Sequence, residues 1–571
     1  MRIRKIFALL LTVAMLTAPL ASCDGIFGTF DSPASTTPAQ TTPENTTPED
    51  NDPITPPEVE GMLTCVNIIA DSITEAFAAA ELKWYLTQKG ITMSEKDGYP
   101  ITLSVSTSAA TDGYKIEATD EGLTITGGTN RGLAYGVYNF LEKFVGVKFY
   151  AANTIVMNDA PVIIETGVLD EYTPAFEILR NPWQPIEKLT EKNGGNLIYH
   201  DNLYKTITLH TLIDGNSSIP SCLTAADNVT AAINRTKEFL ATYPSLQTLV
   251  FSPDEDVKYC TCESCAAVEA EEGGLAGAYV RFVNAIIEAV TPEYAELGFY
   301  INVDSKLLVA PKVTKPADGV VVCISTADCH ATHAITDESC SNTKAFAEGL
   351  KSWAAISSVR LEYVLSSTEY ISTFANIGTL RENMRFFAES GIDSIYCTGN
   401  FSCLSGEFGE LRAYLMGKLL QNPMMSEEEY TAHMNEFLSV YYGKGWVYVR
   451  NYIEKVTELA NNDVSQKGVC GQSATASPLS AITRDEYLAY AYSFENCWNA
   501  AEQLAGDRVE YVQASKLQWQ YIQACITPSQ ANSNALINAV KKVKIPWRHN
   551  MTNVSSESNL TLPPFYWKYT A

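Results

Sequence analysis

The chain lacks several signatures that would each have named a chemistry. No GxSxG elbow occurs, which disfavours serine-hydrolase chemistry. No GxGxxG or GxxxxGK is present, so the glycine-rich GGTNRG at 127–132, which follows a strand and opens a helix, reads as a turn and packing element rather than a phosphate cradle. The DxDxDG spacing of a calcium loop is missing, and so is the paired CxxC spacing of the stronger zinc signatures. Basic charge is short: 40 Lys and Arg stand against 66 Asp and Glu, a net charge of -26 spread along the chain, which disfavours nucleic acid and other polyanions as partners. Fourteen cysteines in 571 residues are too few for a disulfide scaffold. After the first segment no apolar run has spanning length, so the body of the chain reads as soluble.

That first segment, residues 1–23, places Arg2, Arg4 and Lys5 before an apolar run from Ile6 to Leu20 and ends in Leu20-Ala21-Ser22-Cys23. It reads as a bacterial lipoprotein signal peptide, with lipidated Cys23 as the expected start of the mature protein; an ordinary signal peptide with an incidental cysteine is the alternative. The expected location is extracytoplasmic, on the cell membrane, with the lipid as the membrane contact. Residues 24–61 are dominated by Thr, Pro, Ser and acid, with too little apolar surface to offset the entropy of ordering, and are expected to be a disordered, extended tether.

Three folded segments follow. Residues 62–170 alternate strand-like stretches (CVNIIA, ITLSVS, YKIEA, LTITGG) with helical ones, and RGLAYGVYNFLEKF puts Leu133, Val137, Phe140, Leu141 and Phe144 on one helical face; this is a small α/β domain. Residues 171–440 repeat strand then helix (LQTLVFS, LGFYINV, VVVCIST, VRLEYVLS, DSIYCTG), the pattern of a parallel sheet covered by helices, for which a (β/α)8-type barrel is the leading candidate. In AGAYVRFVNAIIEAV the stripe Tyr279, Phe282, Val283, Ile286, Ile287 and Val290 is expected to face the barrel. Residues 441–571 are helical by pattern; Trp519 and Tyr521 there are read as core in preference to sugar platforms.

Chemistry in such a barrel is built at the C-terminal ends of strands, and acids fall there. LQTLVFS is followed by Asp254-Glu255-Asp256, LGFYINV by Asp304, VVVCIST by Asp328 and His330, VRLEYVLS carries Glu362, and DSIYCTG leads to Asn400 and Glu407, with Tyr259, Tyr363, Tyr370, Tyr396 and Phe401 nearby. An acidic mouth with aromatic neighbours suits glycoside hydrolysis, which needs one protonated carboxylic acid and a second group that stabilises an oxocarbenium-like transition state. Repulsion between Asp254 and Glu255 keeps one neutral beside a charged partner, provided the chain has already left the strand. Calcium binding by the acids and simple solvation are the alternatives. The cluster Cys260-Thr261-Cys262-Glu263-Ser264-Cys265 offers three thiolates, with Cys222, Cys329, His330 or His333 available as a fourth ligand to zinc. Disulfides or buried thiols are the preferred reading, so neither a metal nor a cofactor is assigned.

With these residues in place the chain resembles a known family. PAFEILRNPW at 174–183, FSPDEDVKYCTCESC at 251–265, AYVRFVNAIIEAV at 278–290 and GNFSCLSGEFGELRAYLMGKLLQNP at 399–423 resemble the domain of unknown function 4838, the core of glycoside hydrolase family 163. GLAYGVYNFLEKFVGVKFY at 132–150 resembles the small α/β domain that precedes the barrel in family 20 hexosaminidases and in α-glucuronidases. The resemblance spans about Leu63 to Arg450. It implies an (α/β) barrel and an endo-β-N-acetylglucosaminidase-like activity on N-glycans, with a carbohydrate or glycoprotein substrate. Carried over by position, it makes Glu255 the general acid, Asp254 the residue orienting the substrate acetamido group, and Glu407 a substrate contact or second catalytic carboxylate. His210, Tyr259, Asn400, Glu362 and Tyr363 are the expected substrate-binding residues. About forty residues separate Trp183 from Cys222, fewer than in the family, so the first strand-helix units are expected to be abbreviated. A glycan-binding lipoprotein with a degenerate barrel is the alternative reading.

Overall fold

The computed structural model describes residues 61–70, 72, 75–151, 154–176, 179–181, 204–213, 220–254, 257–367, 371–398, 407–462, 477 and 479–543. Cys23, Glu255, Asn400 and nearly all of the expected tether lie outside the described residues.

The first segment is a six-stranded mixed sheet with helices packed on it. Its elements are β1 (Cys65–Ala70), α1 (Ala76–Gln88), β2 (Thr92–Met93), β3 (Tyr99–Val105), β4 (Tyr114–Thr119), β5 (Gly122–Gly127) and α2 (Asn130–Phe140); then come a short hairpin of β6 (Val147–Ala151) and β7 (Thr154–Met157), and β8 (Gly167–Tyr172). The order is β2-β1-β3-β5-β4-β8, parallel except that β4 runs antiparallel to both neighbours. Alternation along the strands sends Ile101, Leu103, Leu123 and Ile125 to one core with Leu133, Val137 and Phe140 of α2, all buried. Two glycines inside α2 disfavour a helix by about 1 kcal/mol each, and burying those three side chains outweighs this at about 2 kcal/mol each. The glycines serve close approach: a Cβ at Gly136 would lie 2.7 Å from Ile125 Cγ2, and one at Gly132 would lie 2.4 Å from the Gly113 carbonyl. Thr129 caps the helix by accepting from the Gly132 amide at 3.1 Å, and buried Asp112 accepts from Thr129 Oγ1 at 2.6 Å and Arg131 Nε at 3.0 Å. GGTNRG is thus a turn and packing element.

The middle segment runs β9 (Leu179–Asn181), β10 (Tyr204–Thr208), α3 (Leu209–Ile213), α4 (Ala226–Thr242), β11 (Thr248–Ser252), α5 (Glu263–Glu272), α6 (Ala276–Val290), β12 (Gly298–Val303), β13 (Val321–Ser325), α7 (Ser341–Ala354), β14 (Ser358–Val364), α8 (Leu380–Glu389), β15 (Ser394–Thr398) and α9 (Gly409–Gln421). Its strands form one all-parallel sheet in the order β10-β11-β12-β13-β14-β15-β9. The last strand in the chain therefore pairs with the first, which is barrel order. Among the described residues no ladder joins β9 to β10, so seven strands in that order are seen and eight-stranded closure is not. The stripe on α6 is buried as its spacing required, from Tyr279 to Val290. Along β12 and β14 the outward residues Phe299, Ile301, Val303, Val359, Leu361 and Tyr363 are buried under helices, whereas Tyr300, Asn302, Arg360 and Glu362 share the other face.

Five helices complete the described chain: α10 (Glu427–Tyr442), α11 (Trp446–Asn461), α12 (Arg484–Leu504), α13 (Val509–Ile526) and α14 (Gln530–Val543). Ser426 with Glu429, and Thr483 with Glu486, form capping boxes at the starts of α10 and α12. Trp519 is fully buried, donating from Nε1 to Glu495 Oε2 at 2.8 Å, and Tyr521 is buried as well, so both are core. No helix among the described residues is long and apolar enough to cross a membrane.

Candidate functional site

A cavity of about 610 Å³ opens at the C-terminal ends of β11 to β14. Four carboxylates from four consecutive strands line it: Asp254 after β11, Asp304 after β12, Asp328 after β13 and Glu362 near the end of β14. Parallel pairing in register is the cause. Val250 stands opposite Tyr300, Val303 opposite Ile324, and Ser325 opposite Glu362, so the strand ends level off around one opening. The loops are tied across strands: Thr326 N donates to the Glu362 carbonyl at 3.0 Å, Val364 N to Thr326 Oγ1 at 2.8 Å, and Asn302 Nδ2 to Ser252 Oγ at 3.1 Å.

Asp254 is tied to α3, which follows β10. Its Oδ2 accepts the backbone N–H of His210 at 2.7 Å, and its Oδ1 lies 3.5 Å from His210 Nδ1. Val257 N donates to the Asp254 carbonyl at 3.1 Å. Asp304 closes its own turn by accepting from the amides of Lys306 at 2.9 Å and Leu307 at 3.0 Å, and Lys306 Nζ donates to the Val257 carbonyl at 2.9 Å. The Tyr259 hydroxyl is buried without a hydrogen-bond partner among the described residues; burial and then the charges of Asp304 and Asp254 push its phenol well above the ordinary range. Deeper in the strands Arg360 lies between three rings, its guanidinium carbon 5.5 Å from the centroid of Tyr396, 5.7 Å from Tyr300 and 5.8 Å from Tyr204.

The structure therefore brings Asp254 and Glu362 of the expected site residues to the cavity with the strand-end acids Asp304 and Asp328, whereas His210 touches Asp254 without lining the cavity and Tyr259 does not line it either. Two expectations need correction. Tyr363 is 3 % exposed, packs edge-on against Phe387 and accepts from Asn383 Nδ2 at 3.0 Å, so it is core on the side of β14 opposite Glu362. Glu407 is 4 % exposed and does not line the cavity. Both of its oxygens accept from the Arg412 guanidinium, and Oε1 also accepts the Phe374 amide at 3.1 Å. Burial pushes its carboxyl up, against the pull of Arg412. It is held in a buried ion pair and lies outside the cavity lining.

Sequence reasoning passed over Asn302 and Arg360. Their signal was present, because in GFYINV and SVRLEYV the period of two puts Tyr300, Asn302, Arg360 and Glu362 on one polar face. Of the proposed fourth partners for the cysteine cluster, His330 contacts Cys340 Sγ at 3.3 Å and His333 contacts Asp337 at 3.1 Å, whereas Cys222 joins Cys260, Cys262 and Cys265.

No curated protein matches the chain. Solved structures similar to it include a family GH115 4-O-methyl-α-glucuronidase with specificity for decorated arabinogalactans (12 % identity over 85 % of this chain and 76 % of that one, TM-score 0.44). Another is a GH138 enzyme targeting pectin rhamnogalacturonan II (9 % identity, 84 % and 91 %, TM-score 0.39). A third is a β-N-acetylhexosaminidase from Bacteroides fragilis (9 % identity, 66 % and 91 %, TM-score 0.37). Residues 209–454 match the family model for the domain of unknown function DUF4838, and residues 57–143 match that for glycosyl hydrolase family 20, domain 2, the two families that the sequence motifs resemble.

Proposed function

We propose that the protein is a surface-anchored glycoside hydrolase acting on N-acetylglucosamine-containing glycans, of the endo-β-N-acetylglucosaminidase kind, by carboxylate acid/base catalysis. The observation that carries this reading is the convergence of Asp254, Asp304, Asp328 and Glu362 on one cavity of about 610 Å³, a size that takes one or a few sugar rings. Residues 57–143 add support through the family 20 domain that they match.

In this reading Asp254, held by His210, accepts the acetamido N–H of the substrate and aims its carbonyl oxygen at the anomeric carbon. Glu255, next in the chain, gives its proton to the departing glycosidic oxygen and then takes one from the water that opens the cyclic intermediate. The intermediate's positive charge develops within reach of the cavity carboxylates, which stabilise it. Glu362 binds sugar hydroxyls. Lipidation at Cys23 keeps the enzyme at the cell surface, where such glycans are met.

The test is to incubate the protein with N-glycoproteins and β-N-acetylglucosaminides beside Glu255→Gln and Asp254→Asn and to follow released glycan by mass spectrometry. Release that vanishes in both variants supports the assignment. Persistent release in Glu255→Gln moves the general acid elsewhere, and saturable glycan binding without release replaces the hydrolase by a glycan-binding protein.

A further inference from the structure

Cys222, Cys260, Cys262 and Cys265 come from two stretches far apart in the chain, yet their sulfurs all lie within 4.8 Å of one another. Cys222 Sγ is 3.9 Å from Cys262 Sγ and 3.8 Å from Cys265 Sγ. A disulfide needs about 2.05 Å, and all four thiols are free. Four sulfurs at about 2.3 Å from a tetrahedral metal ion would stand about 3.8 Å apart. We propose that these four cysteines hold one zinc ion as a closed tetrathiolate site. This departs from the sequence expectation of disulfides or buried thiols.

The backbone is built to deliver the ligands. Ser221 bridges to Tyr259, with Ser221 N donating to the Lys258 carbonyl at 2.7 Å and Cys260 N to the Ser221 carbonyl at 3.1 Å, which sets Cys222 beside the CxCxxC turn. An amide and a hydroxyl lie against the sulfurs. The Cys262 amide lies 3.4 Å from Cys260 Sγ, and Thr224 Oγ1 lies 3.2 Å from Cys265 Sγ and 3.7 Å from Cys222 Sγ. Such N–H and O–H donors offset the surplus negative charge of four thiolates on a divalent ion and fix their directions. Cys262 sits at the N-terminal end of α5, directly before Glu263.

Four soft thiolates in tetrahedral array select zinc, with iron as the main competitor. Four protein ligands leave no open position, so the ion is structural. What it secures is specific: Cys260, Cys262 and Cys265, which follow Asp254 in the chain, are clipped to Cys222, which follows His210 of α3. The proposal does not depend on the hydrolase reading.

The full chain, purified without chelator, is analysed by inductively coupled plasma and native mass spectrometry. The expected result is one zinc per chain, with content falling about tenfold or more in Cys222→Ser and Cys265→Ser and unchanged in Cys340→Ser, whose thiol lies outside the cluster. Because the ligand variants risk misfolding, the wild type is tested independently. Four additional thiols should react with a disulfide reagent only after zinc is chelated, and cobalt-exchanged protein should show the visible absorption of a tetrahedral tetrathiolate. Wild-type protein free of metal, loaded with iron, or lighter by four hydrogens from two disulfides among these cysteines would overturn the proposal.

Discussion

Replacing Glu407 by Gln separates the structural role assigned to it here from a catalytic one. Arg412 is 1 % exposed, and its five N–H donors meet five acceptors: Nε to Asn376 Oδ1 at 2.6 Å, one terminal nitrogen to the Glu407 carbonyl and Oε2, the other to the Phe374 carbonyl at 2.6 Å and Glu407 Oε1 at 2.8 Å. Glu407→Gln keeps the shape but strands a buried guanidinium without its counter-charge, which costs about 3–5 kcal/mol, a large share of a domain stability of about 5–15 kcal/mol. Arg412→Met costs at least as much, because it strands the carboxylate together with three further acceptors. Glu407→Gln with Arg412→Met removes both charges, keeps an acceptor for the Phe374 amide, and leaves the carbonyls of Phe374 and residue 407 and Asn376 Oδ1 to be satisfied, so the double variant should be no less stable than the worse single one. Urea unfolding of the set gives the coupling energy directly. Additive single effects would refute the ion-pair account, and so would a Glu407→Gln variant of wild-type stability that has lost glycan release.

Asp254→Asn should lower glycan release by about 10²–10⁴-fold with an unchanged unfolding midpoint, followed by mass spectrometry beside denaturant melts. Tyr363→Phe leaves buried Asn383 Nδ2 without its acceptor and should cost about 1–2 kcal/mol, while turnover per folded molecule stays at the wild-type level. Glu272, fully buried, is held down to about 2 from an ordinary 4.5, hydrogen bonds from the Thr314 hydroxyl and amide, the Val313 amide and Arg281 outweighing burial. The folded carboxyl is therefore the stronger acid: its contribution is complete above about 4.5 and is lost as pH falls toward about 2. Glu272→Gln should lower stability at pH 7 by about 2 kcal/mol and flatten the acid limb of the stability–pH curve, read from urea midpoints across that range.

What the sequence disclosed depended on how local the cause was. The strand-end acids were legible because each lies within a few residues of a β-branched or aromatic run, and parallel pairing does the rest. Glu362 and Tyr363 show where that reasoning slipped. Neighbours on a strand face opposite ways, so if Glu362 reaches the cavity Tyr363 must enter the helix layer, and the period of two already contained that correction. Glu407 was of another kind. Its fate is set by Arg412 five residues on and by the Phe374 amide brought over from another loop, and nothing local distinguishes it from a solvated loop acid. The pairing of Cys222 with the CxCxxC turn likewise rests on a single β-bridge between Ser221 and Tyr259.

These long-range ties explain how four carboxylates are kept around one opening despite their mutual repulsion. Three of them are fixed by something other than a neighbouring acid. Asp254 is held by the His210 amide, Asp304 by the amides of its own turn, and Glu362 by its place on a central strand paired on both sides. On that same strand, two residues below Glu362 and facing the same way, Arg360 brings a positive charge beneath the acids. Its guanidinium is wedged among Tyr204, Tyr300 and Tyr396 on three other strands, so it stays under the opening and does not swing out to cap it. A site assembled in this way is negative at its mouth before any ligand arrives, with Arg360 held away from the lining. That polarity favours a ligand that becomes cationic as it reacts, which is the demand of a glycosyl transition state, over one that is anionic from the start.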